Sequence, residues 1–341
     1  MNSRDRVVAA LEFGGPDRVP VMHRTLPGAF RAHGEELTAL YERCPSDVML
    51  SPTSKAPFAF SEMADTEYRP AGRWTDPWGF EWLKTSDDWQ GQVVGNPLSD
   101  WAALDDYHWI DPMVGYDGIE EMIHVMKEDG HQHYYLGYCG SIFHHMTFLR
   151  GFEAAMIDLA QGNEEILGIR DRVAEITLRR IEAITAAGAD GVLICDDWGT
   201  QQSLYMRPSM WRDLFKPTYK KVADAIHEGG AYAHFHTDGV TRDIIFDLIE
   251  IGFEELNPQV WIMDVDELSR EFRGQVCFRA DLDRQSVLCT GTPAEVSEHV
   301  QKTHEAFSLP SGGYIAYGQV GPDMPIENVE AMLRTFGGLS V

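Results

Sequence analysis

The second half of the chain alternates between short apolar runs and longer stretches with helical periodicity. Gly191–Cys195 is an apolar run that follows a glycine-containing helix stop, and residues 208–228 then place apolar side chains at helical spacing. The same alternation continues to the C-terminus. It predicts strands at residues 231–236, 253–256, 275–280 and 313–317, and helices at residues 241–251, 264–272 and 293–307. Repeated strand–helix units indicate a parallel sheet with helical crossovers.

Three further strand candidates lie in the first half, at residues 19–23, 47–50 and 134–137. About eight strands are then available, which favours a (β/α)8 TIM barrel over an open doubly wound sheet. No glycine-rich phosphate-binding motif follows a strand, so a nucleotide-binding sheet has no support. No linker marks a boundary, and residues 1–341 are predicted to form a single domain.

Residues from about 65 to 104 interrupt the alternation. The stretch from 69 to 84 places tryptophan and phenylalanine among glycine and proline, which predicts a hairpin with loops. We interpret this segment as an N-terminal aromatic-rich insertion over the barrel mouth. It either contacts the ligand as a lid or is a peripheral hairpin that packs its own tryptophans.

The charge of the chain limits its partners. It has 54 acidic and 28 basic residues, a formal net charge of −26. This charge repels nucleic acids and anionic membrane surfaces, so neither is expected as a partner. The N-terminus carries no secretory signal pattern, and the five cysteines are scattered. These features predict a cytoplasmic protein with reduced thiols.

Polar residues follow the predicted strands, where barrel enzymes carry their reactive groups. His234, His236 and Asp238 are the most informative, because alternation along a strand places them on one face. Two imidazoles and a carboxylate suit zinc or another divalent metal, and they also suit acid–base chemistry. The alternative is a buried histidine bonded to backbone and an ordinary loop aspartate.

Two other pairs of carboxylates follow strands. Asp196 and Asp197 are adjacent, so they point in different directions: one is expected to face the barrel axis, and the other could cap the following helix. Asp281 and Asp283 alternate after the strand at 275–280, although Asp283 could equally cap a short helix that runs to residue 288. Cys277 lies in an apolar strand and is expected to be a core residue.

Motifs along the whole chain carry a resemblance to a known family. They are Asp17-Arg-Val-Pro20, Thr75-Asp-Pro-Trp-Gly79, Leu149-Arg-Gly-Phe-Glu153, Asp196-Asp-Trp-Gly-Thr-Gln201, His236-Thr-Asp-Gly239, Leu256-Asn-Pro-Gln259, Asp281-Leu-Asp-Arg-Gln285 and Gly291-Thr-Pro-Ala-Glu295. With these motifs, the chain resembles the uroporphyrinogen decarboxylase-like superfamily from about Arg4 to Phe336. The resemblance implies the same (β/α)8 barrel that the alternation predicts.

The branches of this family differ in activity. The tetrapyrrole decarboxylases have a Met-Arg-Gln-Ala-Gly-Arg run where this chain has Val21-Met-His-Arg-Thr-Leu-Pro27, so the turn that grips substrate propionates is missing. Methyltransferases acting on coenzyme M bind zinc through His-x-Cys and a later Cys. Here His236 matches, but Asp238 occupies the Cys position, and no Cys lies near Gln319. The resemblance leaves a harder oxygen–nitrogen metal site of His236 and Asp238, with His234 or Gln319.

The chain is most similar to the divergent methyltransferase-type members. The resemblance implies a methyltransferase that moves a methyl group from a small donor to a corrinoid, and the aromatic insertion suits a methoxylated aromatic donor. No corrinoid-binding segment is recognisable, so the cobamide is expected on a partner protein. The expected catalytic residues are His236, Asp197 and Asp238. The expected substrate contacts are Asp196, Trp198, Asn257, Gln259, Asp281 and Asp283.

Two alternatives stay open. One is a metal-independent decarboxylase or lyase in which Asp197 or His236 handles a proton. The other is a catalytically silent barrel that acts as a binding subunit. The oligomeric state is also open, with a homodimer as one option.

Overall fold

The computed structural model describes residues 1–50, 69–89, 91–116 and 118–341. Its centre is a set of parallel strands. The parallel strands are β1 (Val21–Thr25), β2 (Val48–Met49), β6 (Tyr134–Gly140), β7 (Gly191–Cys195), β8 (Tyr232–Thr237), β9 (Glu255–Pro258), β10 (Cys277–Phe278) and β11 (Ala316–Val320). A separate antiparallel sheet is formed by β3 (Gly72–Thr75), β4 (Glu81–Lys84) and β5 (Gln92–Gly95). Six parallel strands pair in the order β10-β9-β8-β7-β6-β2, and β1 pairs with β11.

Hydrogen bonds join the two parallel sheets at both edges. Phe278 donates its N–H to the carbonyl of Gly313 (3.0 Å) and accepts from Ile315 (2.9 Å), which connects β10 to the segment before β11. At the other edge, Asp47 donates its N–H to the carbonyl of Val21 (2.7 Å), and its carboxylate accepts the N–H of Val21 (2.9 Å). The strand order and these bonds give a curled parallel sheet consistent with a TIM-type barrel, the fold class that the sequence predicts.

Helices follow most of the parallel strands. They are α1 (Ser3–Leu11), α2 (Pro27–Arg43), α3 (Gly118–Asp129), α4 (Phe143–Arg150), α5 (Phe152–Gln161), α6 (Glu164–Ala186), α7 (Pro208–Leu214), α8 (Lys216–Glu228), α9 (Arg242–Glu250), α10 (Val265–Phe272), α11 (Val287–Thr290), α12 (Pro293–Phe307) and α13 (Ile326–Gly337). In the described ranges, no helix has the length and apolar character needed to cross a bilayer.

Element boundaries agree with the sequence pattern in some places and depart from it in others. Strand β7 and helix α12 are confirmed as predicted, and a capping box formed by Thr292 and Glu295 begins α12. The helix predicted over 208–228 is instead two helices, because Pro217 has no N–H to continue the hydrogen-bond ladder. The last strand lies at Ala316–Val320 rather than 313–317, since pairing with β1 begins at Ala316.

The aromatic segment folds as the antiparallel sheet β3-β4-β5. Trp78, Phe80 and Trp82 are buried, and the ring of Trp74 stacks on Trp82 with centroids 6.1 Å apart. Phe80 and Trp82 both pack edge-on against Phe148 of α4. These rings pack on one another and on α4, as the peripheral-hairpin alternative expects. Residues 65–68 and 90 of the predicted insertion lie outside the described residues.

Candidate functional site

Three side chains meet where β7 and β8 end. Asp197 lies two residues beyond β7, His236 is in β8, and Asp238 directly follows β8. The Nε2 atom of His236 lies 3.7 Å from Oδ1 of Asp197 and 3.7 Å from Oδ1 of Asp238. One ligand atom from each side chain lies within 4.8 Å of the other two. We call these three residues the carboxylate–histidine cluster.

Two glycines allow the loops that carry this cluster to touch. Gly239 has φ of +90°, and a Cβ there would overlap the backbone of Gly199, while a Cβ on Gly199 would lie 2.5 Å from the N atom of Val240. In this close contact Gly199 donates its N–H to the carbonyl of Asp238 (3.2 Å), and the carboxylate of Asp197 accepts the N–H of Asp238 (2.8 Å). The glycine contact therefore fixes the spacing of the two carboxylates.

Asn257 determines which nitrogen of His236 carries a proton. The two residues stand side by side in the register of β8 and β9. The Nδ2 group of Asn257 donates to the carbonyl of Arg279, so its Oδ1 faces Nδ1 of His236, 2.6 Å away. Because an amide oxygen only accepts, Nδ1 is the donor. In the neutral ring, the lone pair of Nε2 then faces Asp197 and Asp238.

The three groups of the cluster offer a place for a cation between them. Two carboxylate oxygens and a nitrogen lone pair converge, and like charges at this separation repel unless a proton or a metal ion lies between them. Asp238 Oδ1 is buried and has no hydrogen-bond partner in the described part of the chain. One imidazole and two carboxylates are a donor set that suits zinc, manganese or iron. The residues present therefore fit a divalent metal.

The ionisation state of Asp197 is consistent with a role in binding a divalent metal. Burial opposes ionisation of its carboxyl, but the neighbouring His144 and His236 hold its pKa below the ordinary value. His144, at the start of α4, brings its Nε2 to 3.5 Å from Oδ2 of Asp197. Asp197 is thus kept as the carboxylate, the form that binds metal.

Arg284 supports the cluster from the loop after β10, and the sequence reasoning did not select it. Its guanidinium donates to the second carboxylate oxygen of Asp238 and to the side-chain oxygen of Gln319, and its Nε lies 3.5 Å from Oδ2 of Asp281. Gln319 was predicted as a metal ligand; the structure joins it to Arg284 instead. The two alternating carboxylates that precede Arg284 in the Asp281–Gln285 motif are the available signal for a paired cation.

His234 is not placed with the cluster. Its Nδ1 lies 2.7 Å from Oε2 of Glu255, and its Nε2 lies 2.7 Å from the hydroxyl of Tyr134, all in the buried interior of the barrel. Both ring nitrogens are engaged, so the predicted metal role does not fit. The alternation of side chains along β8 correctly places His234 on the same face as His236. However, two residues along a strand span about 6.5 Å, so His234 lies deeper in the interior than His236.

Two of the predicted substrate contacts are structural instead. Asp196 is buried and accepts the N–H groups of Ile142 (2.7 Å) and His144 (3.0 Å) and the hydroxyl of Tyr219 (2.8 Å), so it anchors the start of α4 rather than the helix that follows β7. Burial raises its pKa. Trp198 is fully buried; its ring stacks on Phe143 at 4.1 Å. Of the adjacent aspartates, Asp197 is the one in the cluster.

Three of the four remaining predicted contacts line a cavity of about 220 Å³ between the loops that follow β9 and β10. Its lining includes Gln259, Asp281 and Asp283, together with Trp261 and Arg284. Burial raises the pKa of Asp281 to about 6. Asp283 accepts the N–H groups of residues 285 and 286. It therefore caps the turn before α11, in agreement with the alternative prediction that Asp283 caps a short helix. Asn257 does not line this cavity and instead orients His236.

Comparison with known proteins assigns the chain to a family. Residues 85–338 match the family described as Uroporphyrinogen decarboxylase (URO-D), and the chain belongs to that family. No curated protein is detectably similar in sequence. Among solved structures, a methyltransferase from Methanosarcina mazei is similar with 18% identity, a TM-score of 0.71 and coverage of 99% of both chains. A B12-independent methionine synthase from Shewanella covers 64% of both chains at 10% identity and a TM-score of 0.45.

At 18% identity, the likeness to the methyltransferase shows a shared fold over the whole chain and no more. Family membership and this fold indicate an enzyme of the uroporphyrinogen decarboxylase-like superfamily, which includes methyltransferase-type members.

Proposed function

We propose that this protein is a methyltransferase that takes a methyl group from a small donor at the barrel mouth. The acceptor is the Co(I) of a cobamide carried by a partner corrinoid protein. Membership of the URO-D family and the full-length likeness to a methyltransferase fold support the class of reaction. The observation that carries the proposal is the carboxylate–histidine cluster, in which one ligand atom from each of three side chains lies within 4.8 Å of the other two.

The residues of the chain have separate roles in this proposal. Asp197, His236 and Asp238 would hold a divalent metal, which supplies a Lewis acid for an atom of the substrate that carries a lone pair. Asn257 keeps the proton of His236 on Nδ1, so Nε2 stays available. Arg284 holds one oxygen of Asp238 and leaves the other directed at the cluster. Each group is thereby positioned before the donor arrives.

The methoxylated aromatic donor loses its main support. That expectation rested on the aromatic rings of the insertion, and those rings are packed against one another and against Phe148. The donor class is therefore better argued from the cavity beside Asp281.

Methyl transfer can be tested with free cob(I)alamin and a panel of O-methyl, S-methyl and N-methyl donors, following methylcobalamin formation by its absorbance. The substitution His236→Ala should lower the rate by about a hundredfold or more, because it removes a donor atom at the proposed metal position. The exposed His124→Ala on α3 is the matched control and should keep the wild-type rate. An unchanged rate in His236→Ala would remove the cluster from the mechanism.

A second candidate is a metal-independent lyase, favoured by Asp281. Burial raises the pKa of this carboxyl to about 6, so it can carry a proton close to neutral pH. A lyase of this kind would release carbon dioxide from a carboxylate substrate after exhaustive chelation, and Asp281→Asn would abolish the release. Loss of activity on chelation would reject it in favour of the metal-dependent methyltransferase.

A further inference from the structure

We propose that the cavity beside Asp281 binds a small organic cation of the methylated-ammonium class, and that this cation is the methyl donor. Binding of the cation is argued from the cavity alone, whereas its role as methyl donor rests on the proposed methyltransferase function. The cavity of about 220 Å³ is smaller than the roughly 300–1,000 Å³ of sites for drug-sized ligands, which suits a compact molecule.

The first observation is an incompletely neutralised carboxylate in the wall of the cavity. Asp281 is 3% exposed, and its Oδ2 lacks a hydrogen-bond partner within the residues that the structure describes. The nearby cation is Arg284, whose Nε lies 3.5 Å from that oxygen. Its other two nitrogens already donate to Asp238 and Gln319. One guanidinium therefore serves two carboxylates, and one oxygen of Asp281 is left without a hydrogen-bond donor beside the cavity.

The second observation is an aromatic wall. Trp261 also lines the cavity, and its ring is fixed in place by two contacts outside it. The indole N–H donates to the hydroxyl of Thr303 (3.1 Å), and His299 packs against the ring with centroids 4.0 Å apart. A fixed indole next to a buried carboxylate combines the two interactions that recognise a quaternary ammonium group, cation–π attraction and charge pairing.

The net charge of the whole protein also favours a cationic ligand. With a formal net charge of −26, the surface raises the local concentration of small cations and lowers that of anions. Asp283, a further acidic side chain in the cavity wall, adds to this field. An anionic ligand would meet these carboxylates without a free guanidinium to pair with it.

A methylated ammonium is also chemically suited to the proposed transfer. Attack of Co(I) on the methyl carbon forms the cobalt–carbon bond as the carbon–nitrogen bond breaks. The electron pair of the carbon–nitrogen bond stays on nitrogen. The nitrogen leaves as a neutral amine, and cobalt is oxidised by two electrons to the methylated Co(III) form. No further oxidant, reductant or proton is required.

Calorimetric titration of the whole protein with choline and with its neutral isostere 3,3-dimethylbutan-1-ol tests the binding. The two probes differ in the positive nitrogen, so choline should bind about tenfold more tightly. The variant Asp281→Asn should remove this preference, and Trp261→Leu should weaken choline binding more than isostere binding. The control Asp266→Asn removes the same charge from an exposed position on α10 and should keep the preference.

Equal affinity for the two probes in the wild-type protein would overturn the inference without reliance on any variant. If Asp266→Asn reduced the preference for choline as much as Asp281→Asn does, the inference would also be overturned, because the preference would then come from the net charge of the protein and not from the cavity. Because no corrinoid is present in the titration, failure of the cation site and failure of the methyltransferase proposal are distinguishable. Methyl transfer from another donor without choline binding would contradict this site alone.

Discussion

At the residue scale, the orientation of a single amide governs the chemistry of the site. Asn257 can present its oxygen to His236 because its nitrogen is held by the backbone of Arg279. The backbone oxygen can only accept, so the amide cannot rotate without losing both bonds. The availability of Nε2 is thus set by a residue outside the carboxylate–histidine cluster.

Replacing Asn257 with leucine should weaken divalent metal binding by about 10- to 100-fold, because the ring of His236 loses the bond that orients it. Competition titration with a metal-sensitive dye measures the affinity directly. The control Asn96→Leu removes another amide that donates to a backbone carbonyl, that of Phe148, and should leave metal affinity unchanged. Equal affinities in Asn257→Leu and wild type would show that Asn257 does not orient His236.

At the element scale, the loops after β7 and β8 depend on a glycine-to-glycine contact. Gly239→Ala should destabilise the fold by about 1–3 kcal/mol and should separate Asp197 from Asp238, lowering metal affinity as well. Gly230→Ala is a close control: its φ is +80°, yet a Cβ there meets nothing within 4 Å. Urea denaturation and metal titration of both variants separate backbone strain from the contact. Equal metal affinity in the two variants would contradict a special role for the contact.

The fold should lose stability in acid through His299 of α12, whose ring contacts the loop after β10. Its Nε2 accepts the N–H of Asp283 (3.0 Å), and burial lowers its pKa from 6.5 to about 4. Between these values the unfolded chain binds a proton that the folded chain does not. The contribution is therefore fully present above about pH 6.5 and is lost as the pH falls towards 4, by up to about 3 kcal/mol.

Urea denaturation at several pH values between 7 and 4.5 checks this effect. In His299→Gln the side-chain oxygen can still accept the N–H of Asp283 but does not titrate, so the loss of stability in acid should be smaller than in wild type. Parallel curves for the two proteins would mean that other groups control the acid sensitivity.

At the scale of the whole molecule, Asp47 joins the two parallel sheets at one edge. Its carboxylate accepts from Arg6 (2.7 Å), Arg18 (2.8 Å) and the N–H of Val21, and it is almost wholly buried. Asp47→Ala should cost about 3–5 kcal/mol, because it leaves the buried guanidinium of Arg6 without this partner. Asp5→Ala, an exposed change on α1, should cost little. Similar unfolding free energies for these two variants would contradict this account of the edge.

Much of this architecture could be predicted from the sequence, because alternation reports which segments are strands and which face is buried. The parallel strands, β7, α12 and the pairing of His236 with Asp238 all follow from that pattern. The depth of a side chain along a strand does not follow from alternation. The sequence therefore groups His234 with His236, although the partners of His234 are Tyr134 and Glu255. Arg284 and the orienting role of Asn257 depend on contacts between distant strand ends, which one-dimensional spacing does not encode.

The central claim is that Asp197, His236 and Asp238 bind a divalent metal, and elemental analysis tests it most directly. Protein purified without chelator or histidine tag should carry about one divalent metal per chain. His236→Ala should lose the metal, while the exposed His124→Ala should retain it. A wild-type protein without stoichiometric metal after incubation with zinc, manganese or iron, or an undiminished metal content in His236→Ala, would contradict the account.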